Sequence, residues 1–211
     1  MGDENLLIFE GMNERHVFGH LFNRNGIAGG IIEFKDMNGF PNLLKALPTA
    51  LRSNKVKRLG VVVDADLDIS SRWQSIRNIL INRHYENVPT SLVPEGTIVE
   101  LEDIPVIGVP KVGVWIMPDN QLPGMLEHFV SFLGATSDPL WSIADNCLND
   151  IPNEHRHFTE NHRIKAHIHT WLAWQEEPGT PLGSAINKRY FDATAPHAQN
   201  LIAWIRRLFE L

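Results

Sequence analysis

Short apolar runs alternate with amphipathic segments through the first half of the chain. The runs that predict buried strands lie at 5–9, 28–34 and 60–63. Segments with apolar residues at helical spacing lie at 14–22, 39–53 and, after the candidate capping residue Ser70, up to 81. Strands that alternate with helices through short connections are typical of a parallel sheet with right-handed crossovers. The pattern therefore predicts an α/β fold, Rossmann-like in outline, with helices flanking a parallel sheet.

The pattern changes after the third predicted helix. A hairpin is predicted from 97–101 and 104–108, around Glu102 and Asp103, and is followed by a strong strand at 112–117 and a helix at 124–133. From about residue 137 the chain is predicted to be helical, at 141–148, 164–175 and 197–209, with a short helix near Ala185. We interpret residues 1–136 as an α/β domain and 137–211 as a helical extension packed on it, without a clear linker.

The composition is that of an ordinary globular protein. Of 211 residues, 43% are hydrophobic and 21% charged, which argues against disorder. The single cysteine, Cys147, excludes an internal disulfide and a cysteine-based metal cluster. The acidic first residues and the short apolar run after them predict a cytoplasmic protein without membrane association. A net charge of −6 disfavours a broadly basic surface that binds nucleic acid, but it does not exclude a local basic groove.

Carboxylates follow several predicted strands directly. Asp64 and Asp66 follow the central strand, where residues two apart share a face. Glu10 follows the first strand, and Glu14 lies one helical turn further. Because ligands bind beyond the carboxyl ends of parallel strands, we expect these four acids at one edge of the sheet, as metal ligands. Hard oxygen ligands without cysteine suit Mg²⁺, Mn²⁺ or Ca²⁺, and we expect Mg²⁺ or Mn²⁺ as the cofactor.

Three further acids lie near the same predicted edge as additional or outer-shell candidates. Asp68 can instead cap the helix that follows, through Asp-Ile-Ser-Ser. Asp119, in Pro-Asp-Asn, is also a good turn residue, and Glu127 lies on the helix after it. For Asp68 and Asp119 the sequence leaves the local structural role and the metal role both open.

Several cationic or small residues could meet a phosphate. His162, Lys165 and His169 recur at helical spacing and share one face of a predicted helix. Gly11 and Arg72 are further phosphate-binding candidates beside the acids. A zinc site among the histidines of this region is disfavoured, because His167 and His169 are two residues apart and point apart on a helix. Solvent-facing side chains are the alternative for all of these residues.

Several of these residues together resemble the Toprim domain, which is shared by topoisomerases, bacterial primases, small ribonucleases and the nucleases of the overcoming-lysogenization-defect group. The matching motifs are Glu10-Gly11 after a strand, Glu14 in the next helix, and Asp64-Ala65-Asp66 after a third strand. The whole chain is also similar to the DUF3226 Toprim-like family, through segments at 114–120, 124–127 and 165–175.

The resemblance implies a role for each matching residue. Glu10 corresponds to a general acid/base or metal ligand, Asp64 and Asp66 to the metal-binding Asp-x-Asp, and Glu14 to the second acid of the nuclease-type pattern. Lys165 is the best match for the lysine that assists the reaction in nuclease members. The chain lacks the attacking-tyrosine context of topoisomerases, the zinc motif of primases and an ATPase loop, which disfavours topoisomerase and primase activity.

Three functional hypotheses follow. The first is a Mg²⁺-dependent nuclease that cuts phosphodiesters in DNA or RNA. The second is a module that binds metal and a nucleotide or nucleic acid without turnover, as a subunit with a protein partner in a larger defence or repair system. The third is a structural interaction protein whose acids are vestigial.

Overall fold

A five-stranded sheet forms the centre of the protein. A computed structural model describes residues 4–100 and 109–211. The strands are β1 (Asn5–Phe9), β2 (Glu33–Asp36), β3 (Arg58–Asp64), β4 (Thr97–Val99) and β5 (Lys111–Met117), and their order in the sheet is β2-β1-β3-β5-β4. β1 pairs in parallel with β2 and β3, β3 pairs in parallel with β5, and β4 runs antiparallel to β5. The predicted α/β fold with a mainly parallel sheet is confirmed.

Helices cover both faces of this sheet. Among the described residues, none of them is long and apolar enough to cross a membrane. They are α1 (Met12–Arg24), α2 (Phe40–Ala50), α3 (Ile69–Ile81), α4 (Leu126–Ser131), α5 (Pro139–Asn149), α6 (Arg163–Leu172), α7 (Leu182–Asn187) and α8 (Pro196–Phe209).

Several element boundaries differ from the predicted ones, and three of the differences bear on the sheet and its edge. β2 begins at Glu33 rather than at residue 28, because Gly29 and Gly30 interrupt the apolar run and Gly30 has a φ of 83°. Asp68, not Ser70, caps α3: its carboxylate accepts the Ser71 N–H at 2.9 Å. Of the predicted hairpin, 97–99 forms β4, whereas residues 101–108 lie outside the described residues.

Each face of the sheet carries its own hydrophobic layer. Alternate residues of β3 divide between them: Val61 and Val63 pack with α2 and α3, while Val62 faces the opposite side. On that side the core also takes buried residues from α1 and from α4 to α8. Residues before and after 136 thus share one core, so the helical extension packs on the sheet, and the boundary at 136 stays a prediction.

Two strand glycines allow the last helix to lie close to the sheet. A Cβ on Gly113 would stand 2.5 Å from Leu208 Cδ2, and one on Gly60 would stand 2.3 Å from Leu7 Cδ1 and 3.3 Å from Leu208 Cδ2. α8 therefore approaches β3 and β5 more closely than a side chain at either position would permit. Its buried face, including Trp204 and Leu208, closes the core on this side.

Backbone pairing joins the segments that follow β3 and β5. The Ala65 N–H donates to the Met117 carbonyl at 3.1 Å. Asp66 and Gly124 exchange two hydrogen bonds, each 2.7 Å long. The carboxyl ends of these strands are therefore held together as one edge, which is where the sequence places most of its candidate acids.

Candidate active site

Backbone geometry brings two candidate acids, Glu10 and Asp64, together at the carboxyl edge of the sheet. Glu10 directly follows β1, and its N–H still pairs with the Val62 carbonyl of β3 at 3.0 Å. Glu10 Oε2 accepts the Asp64 N–H at 3.3 Å. Asp64 Oδ1 accepts the N–H of Leu126, in the first turn of α4, at 2.9 Å. Parallel pairing of β1 with β3 thus places Glu10 beside Asp64, and α4 begins against both.

Glu14 and Glu127 complete a cluster of four carboxylates with Glu10 and Asp64. Both lie in the first turn of a helix, Glu14 in α1 and Glu127 in α4, and they are 7% and 2% exposed. Helix N-termini favour negative charge, which explains how two acids are tolerated in such buried positions. We call Glu10, Glu14, Asp64 and Glu127 the acidic cluster.

The acidic cluster holds more negative charge than its surroundings offset. Loss of hydration raises the pKa of Asp64 well above its usual range, and Glu14, Glu10 and Glu127 raise it further, whereas the Leu126 N–H opposes the shift. Burial likewise raises the pKa of Glu14, with Glu127 and Glu10 adding to it. Burial also raises the pKa of Glu10, against the opposing charge of Arg72. The cluster therefore favours protons or cations.

Glu127 has one carboxylate oxygen near a lysine and one that is buried without a partner. Its Oε1 lies 3.6 Å from Lys165 Nζ on α6. Its Oε2 is buried and has no hydrogen-bond partner in the described part of the chain. A buried carboxylate oxygen without a partner is destabilising, by roughly 1–3 kcal/mol or more. A cation or a proton at this oxygen would remove that cost.

Asp66 lies near the cluster and is held differently. β3 ends at Asp64, and Asp66 has a left-handed φ of 51°, so strand alternation does not extend to it. Its carboxylate forms an ion pair with Arg72, whose guanidinium stacks over the Phe40 ring at 4.0 Å. The charge of Asp66 still raises the pKa of Glu10. The predicted metal role of Asp66 and phosphate role of Arg72 stay predictions, and each would require this ion pair to open.

Gly11 provides room for the Glu14 carboxylate. It is the N-cap of α1, and a Cβ at this position would stand 3.0 Å from Glu14 Oε2. A larger residue would therefore press on the buried acid. Its predicted contact with phosphate stays a prediction.

Asp68 and Asp119 fill the local roles that the sequence left open. Asp68 caps α3, as described above. Asp119 Oδ1 accepts the N–H groups of Gln121 and Leu122 at 3.0 and 2.8 Å and so closes the turn after β5. Outer-shell roles for these two acids stay predictions.

The cationic face predicted on α6 is only partly directed at the cluster. Lys165 contacts Glu127, whereas His162, which caps α6, and His169 are both exposed. Their predicted phosphate contacts stay predictions.

Sequence reasoning missed His128. Its Nδ1 accepts the Met125 N–H at 3.2 Å, which closes the first turn of α4. Burial lowers the pKa of His128, while neighbouring Glu127 opposes the shift. The sequence signal for His128 was its position beside Glu127, three residues after Met125, where α4 begins beyond the end of β5.

The donor chemistry of the cluster fits a hard divalent cation. All four side chains offer carboxylate oxygens, which Mg²⁺ and Mn²⁺ prefer, and the buried Glu127 Oε2 lacks a partner. Within residues 4–100 and 109–211, however, no three His, Cys, Asp or Glu side chains already converge as a ligand set. Joint coordination therefore requires side-chain rotation within the cluster.

Comparison with known proteins identifies a family for this chain but no individual curated protein or solved structure that matches it. The profile of a family described as "Protein of unknown function (DUF3226)" matches residues 4–210. Neither the curated proteins nor the solved structures contain a significant match to this chain.

Proposed function

The chain belongs to the DUF3226 family, whose description states no activity, and we propose from its site that it hydrolyses phosphodiester bonds in nucleic acid with a divalent cation. The observation that carries this proposal is the acidic cluster with the unpartnered, buried Glu127 Oε2 beside Lys165. Four structural elements place excess negative charge at the edge where α/β sheets bind their ligands. Such a site suits a cation that in turn attracts a phosphate.

The residues of the cluster would divide the work. Asp64, Glu14 and Glu127 would hold Mg²⁺ or Mn²⁺, with Glu10 as a further ligand or a proton carrier, and Asp66 would join them if its ion pair with Arg72 opened. The bound cation would neutralise phosphate oxygens and lower the pKa of a bound water. Glu10 suits proton transfer because its raised pKa lies closer to neutral pH than that of an ordinary carboxyl. Lys165 would stabilise negative charge that develops on the phosphate.

We further propose that the fold is Toprim-like. This is supported by an acid directly after β1, a second acid in the first turn of α1, and Asp64-Ala65-Asp66 directly at the end of β3. The parallel register of β1 with β3 puts the first motif beside the last one. The proposal concerns the arrangement of the motifs and does not depend on which nucleic acid is the substrate.

Cleavage of labelled oligonucleotides tests the proposed activity. Single- and double-stranded DNA and RNA are incubated with the protein and Mg²⁺ or Mn²⁺. We expect products with at least one substrate, and a loss of about 10²–10⁴-fold in rate for Asp64→Asn and Glu10→Gln. Glu86→Gln removes an exposed charge on the loop after α3 and serves as the matched control. Absence of products with all substrates, or full activity of both variants, would overturn the proposal.

A binding module without turnover, acting with a protein partner, is the second candidate. It is favoured by the Asp66–Arg72 ion pair and by the need for the carboxylates to rotate before they share a cation. Calorimetry with Mg²⁺ and nucleotides or oligonucleotides would then show binding while product analysis shows none. Multiple turnover by the chain alone would exclude this candidate.

A further inference from the structure

A cavity of about 540 Å³ opens beside the acidic cluster. Its volume lies within the range of small-molecule sites, about 300–1,000 Å³. The segments after β3 and β5, the first turn of α4 and the start of α6 form its walls. Its lining includes Asp66, Leu67, Pro123, His128, Asn161 and Ile164.

The cavity lies next to the candidate active site, although no member of the acidic cluster lines it. Asp66 lines the cavity and acts electrostatically on Glu10. His128 follows Glu127 on α4, and Ile164 precedes Lys165 on α6. Successive residues of a helix point about 100° apart. α4 thus places Glu127 in the cluster and His128 on the cavity, and α6 places Lys165 against Glu127 and Ile164 on the cavity. If a nucleic-acid strand binds with one phosphate at the acidic cluster, its adjoining nucleotide would therefore lie within reach of the cavity.

The cavity combines apolar walls with hydrogen-bonding groups. Leu67, which is 77% exposed, Pro123 and Ile164 supply apolar surface. Asn161 offers both a donor and an acceptor. Because His128 Nδ1 accepts the Met125 N–H, the ring proton of the neutral imidazole lies on Nε2, which is a donor. A flat heterocycle with an edge that forms hydrogen bonds matches this mixture of groups.

The charges of the cavity favour an uncharged occupant. Asp66 and Glu160 both contribute carboxylates to its lining. Arg163 is engaged elsewhere: its guanidinium lies 2.5 Å from Asp145 and 2.7 Å from the Asn149 side chain. Because Asp66 is paired with Arg72, a phosphate would meet mainly the exposed carboxylate of Glu160 and a cation, Arg163, that is already engaged. A neutral base meets no such repulsion.

Backbone pairing fixes the rim that carries the apolar residues. Asp66 and Gly124 exchange two hydrogen bonds of 2.7 Å, and Leu67 and Pro123 lie immediately beside them. The exposed Leu67 is thus presented from a defined loop, which lowers the entropic cost of binding against it.

We propose that this cavity binds an unpaired nucleobase of the strand whose phosphate lies at the acidic cluster. The proposal rests on the proposed nucleic-acid function. A base can enter only when it is unstacked and unpaired, so single-stranded or frayed substrates should be preferred over closed duplex. The site thereby defines the substrate class more closely than the acidic cluster does.

Oligonucleotides with one abasic position test the proposal. Single abasic sites are scanned along a single-stranded substrate, and binding is measured by fluorescence anisotropy separately from cleavage. We expect one position next to the scissile phosphate to weaken binding about tenfold when its base is missing. Leu67→Ala should weaken binding of the intact strand to a similar extent and should add nothing when that base is already absent. Because Leu67 is largely exposed, its truncation should leave folding intact.

A matched control separates this effect from general loss of apolar surface. Ile81→Ala removes a residue that is 41% exposed at the far end of α3, and it should leave binding unchanged. Cleavage without any position-dependent abasic effect, or equal weakening by Ile81→Ala, would overturn the base site and leave the hydrolase proposal intact. Base-dependent binding without cleavage would support the base site and overturn hydrolysis. Absence of any oligonucleotide binding would overturn both.

Discussion

Asp64 is a buried carboxylate that lies beside three other acids, so its ionisation is unfavourable in the folded protein. It ends a buried strand, accepts a backbone N–H from α4, and has a pKa raised by lost hydration and by three neighbouring acids. A raised acid pKa means that the folded state holds the proton more tightly than the unfolded chain does. Between the usual and the raised pKa, the folded protein binds more protons, so the free energy of unfolding falls as pH rises. The ionised cluster is therefore destabilising without a cation.

Neutralising Asp64 should stabilise the cation-free protein at high pH. For Asp64→Asn, which keeps an oxygen for the Leu126 N–H, we expect the free energy of unfolding to rise by roughly 0.5–2 kcal/mol at pH 8 in a chelator. The gain should shrink as pH falls from the raised pKa of Asp64 to its usual pKa, and it should vanish at lower pH, where Asp64 is protonated in both states. Urea denaturation at several pH values measures it, with Glu86→Gln as control. A gain that does not depend on pH would contradict this account.

A divalent cation should reverse the same penalty. With Mg²⁺ at about a hundred times its dissociation constant, the free energy of unfolding of the wild-type protein should rise by about 2.7 kcal/mol. Asp64→Asn should show a much smaller rise, because it lacks one ionised ligand. Thermal unfolding with and without Mg²⁺ provides the measurement, and Ca²⁺ extends it to a larger cation. An unchanged melting temperature for the wild type would favour vestigial acids.

At the scale of elements, helix starts and close approaches decide where the site lies. α1, α3 and α4 all begin just beyond the carboxyl edge of the sheet, each with an acid at its start or in its first turn. Asp68 acts through its cap on α3, and Gly113 acts through the distance between α8 and β5. A local hydrogen bond therefore accounts for Asp68, and close packing accounts for Gly113.

Substitution of Asp68 should separate capping from metal binding. Asp68→Ala should lower the free energy of unfolding by about 1 kcal/mol, whereas Asp68→Ser, which retains a capping oxygen without the charge, should recover most of it. If Asp68 acts only as a cap, Asp68→Ser should also cleave at the wild-type rate. Chemical denaturation and cleavage assays are read side by side. Wild-type stability with lost cleavage in Asp68→Ser would instead assign Asp68 to the metal.

Filling the space at Gly113 should push α8 off the sheet. A methyl group there meets Leu208, so we expect Gly113→Ala to lower the free energy of unfolding by roughly 1–3 kcal/mol. Gly29→Ala is the matched control, because no atom lies within 4 Å of a Cβ at that position. Equal stability of the two variants, measured by urea denaturation, would contradict the close approach.

At the scale of the whole molecule, the two ends of the chain share one core. α8 packs on β3 and β5, and α7 packs against α1, where Gly183 lies close to His16 and His20. The helical extension also supplies Lys165, which contacts Glu127 of the acidic cluster. The site therefore depends on both halves of the sequence.

Removal of α8 should destroy cooperative folding. A chain that ends at residue 195 would expose the apolar face of the sheet that Trp204 and Leu208 cover. We expect it to lose near-UV circular dichroism and a sharp thermal transition, as loosely packed states do. The milder Leu208→Ala should still fold, with a loss of about 2–5 kcal/mol. A truncated chain with a native-like transition would show that the sheet and α1 to α7 form an independent unit.

The sequence by itself determined the α/β class, the edge of the sheet at which the site lies, and three acids of the cluster, Glu10, Glu14 and Asp64. Alternating apolar segments are local signals, and Glu10 and Asp64 directly follow strands, so their placement needs only the rule that parallel strands end on one side. From the sequence, Glu127 is only an additional or outer-shell candidate, because neither its burial nor its unpartnered oxygen is visible there.

Only the tertiary structure decided how the remaining residues are used. Asp66 forms an ion pair with Arg72 because the chain turns left-handed after β3, and periodicity does not describe a turn. Lys165 meets Glu127 because α6 packs on α4, a contact between residues 38 positions apart. The cavity beside the cluster arises from three segments that are distant in sequence, at 66–67, 123–128 and 160–164. Strand ends follow from local sequence patterns. Ion pairs and cavities depend on long-range packing, which cannot be inferred from the local pattern of a single sequence.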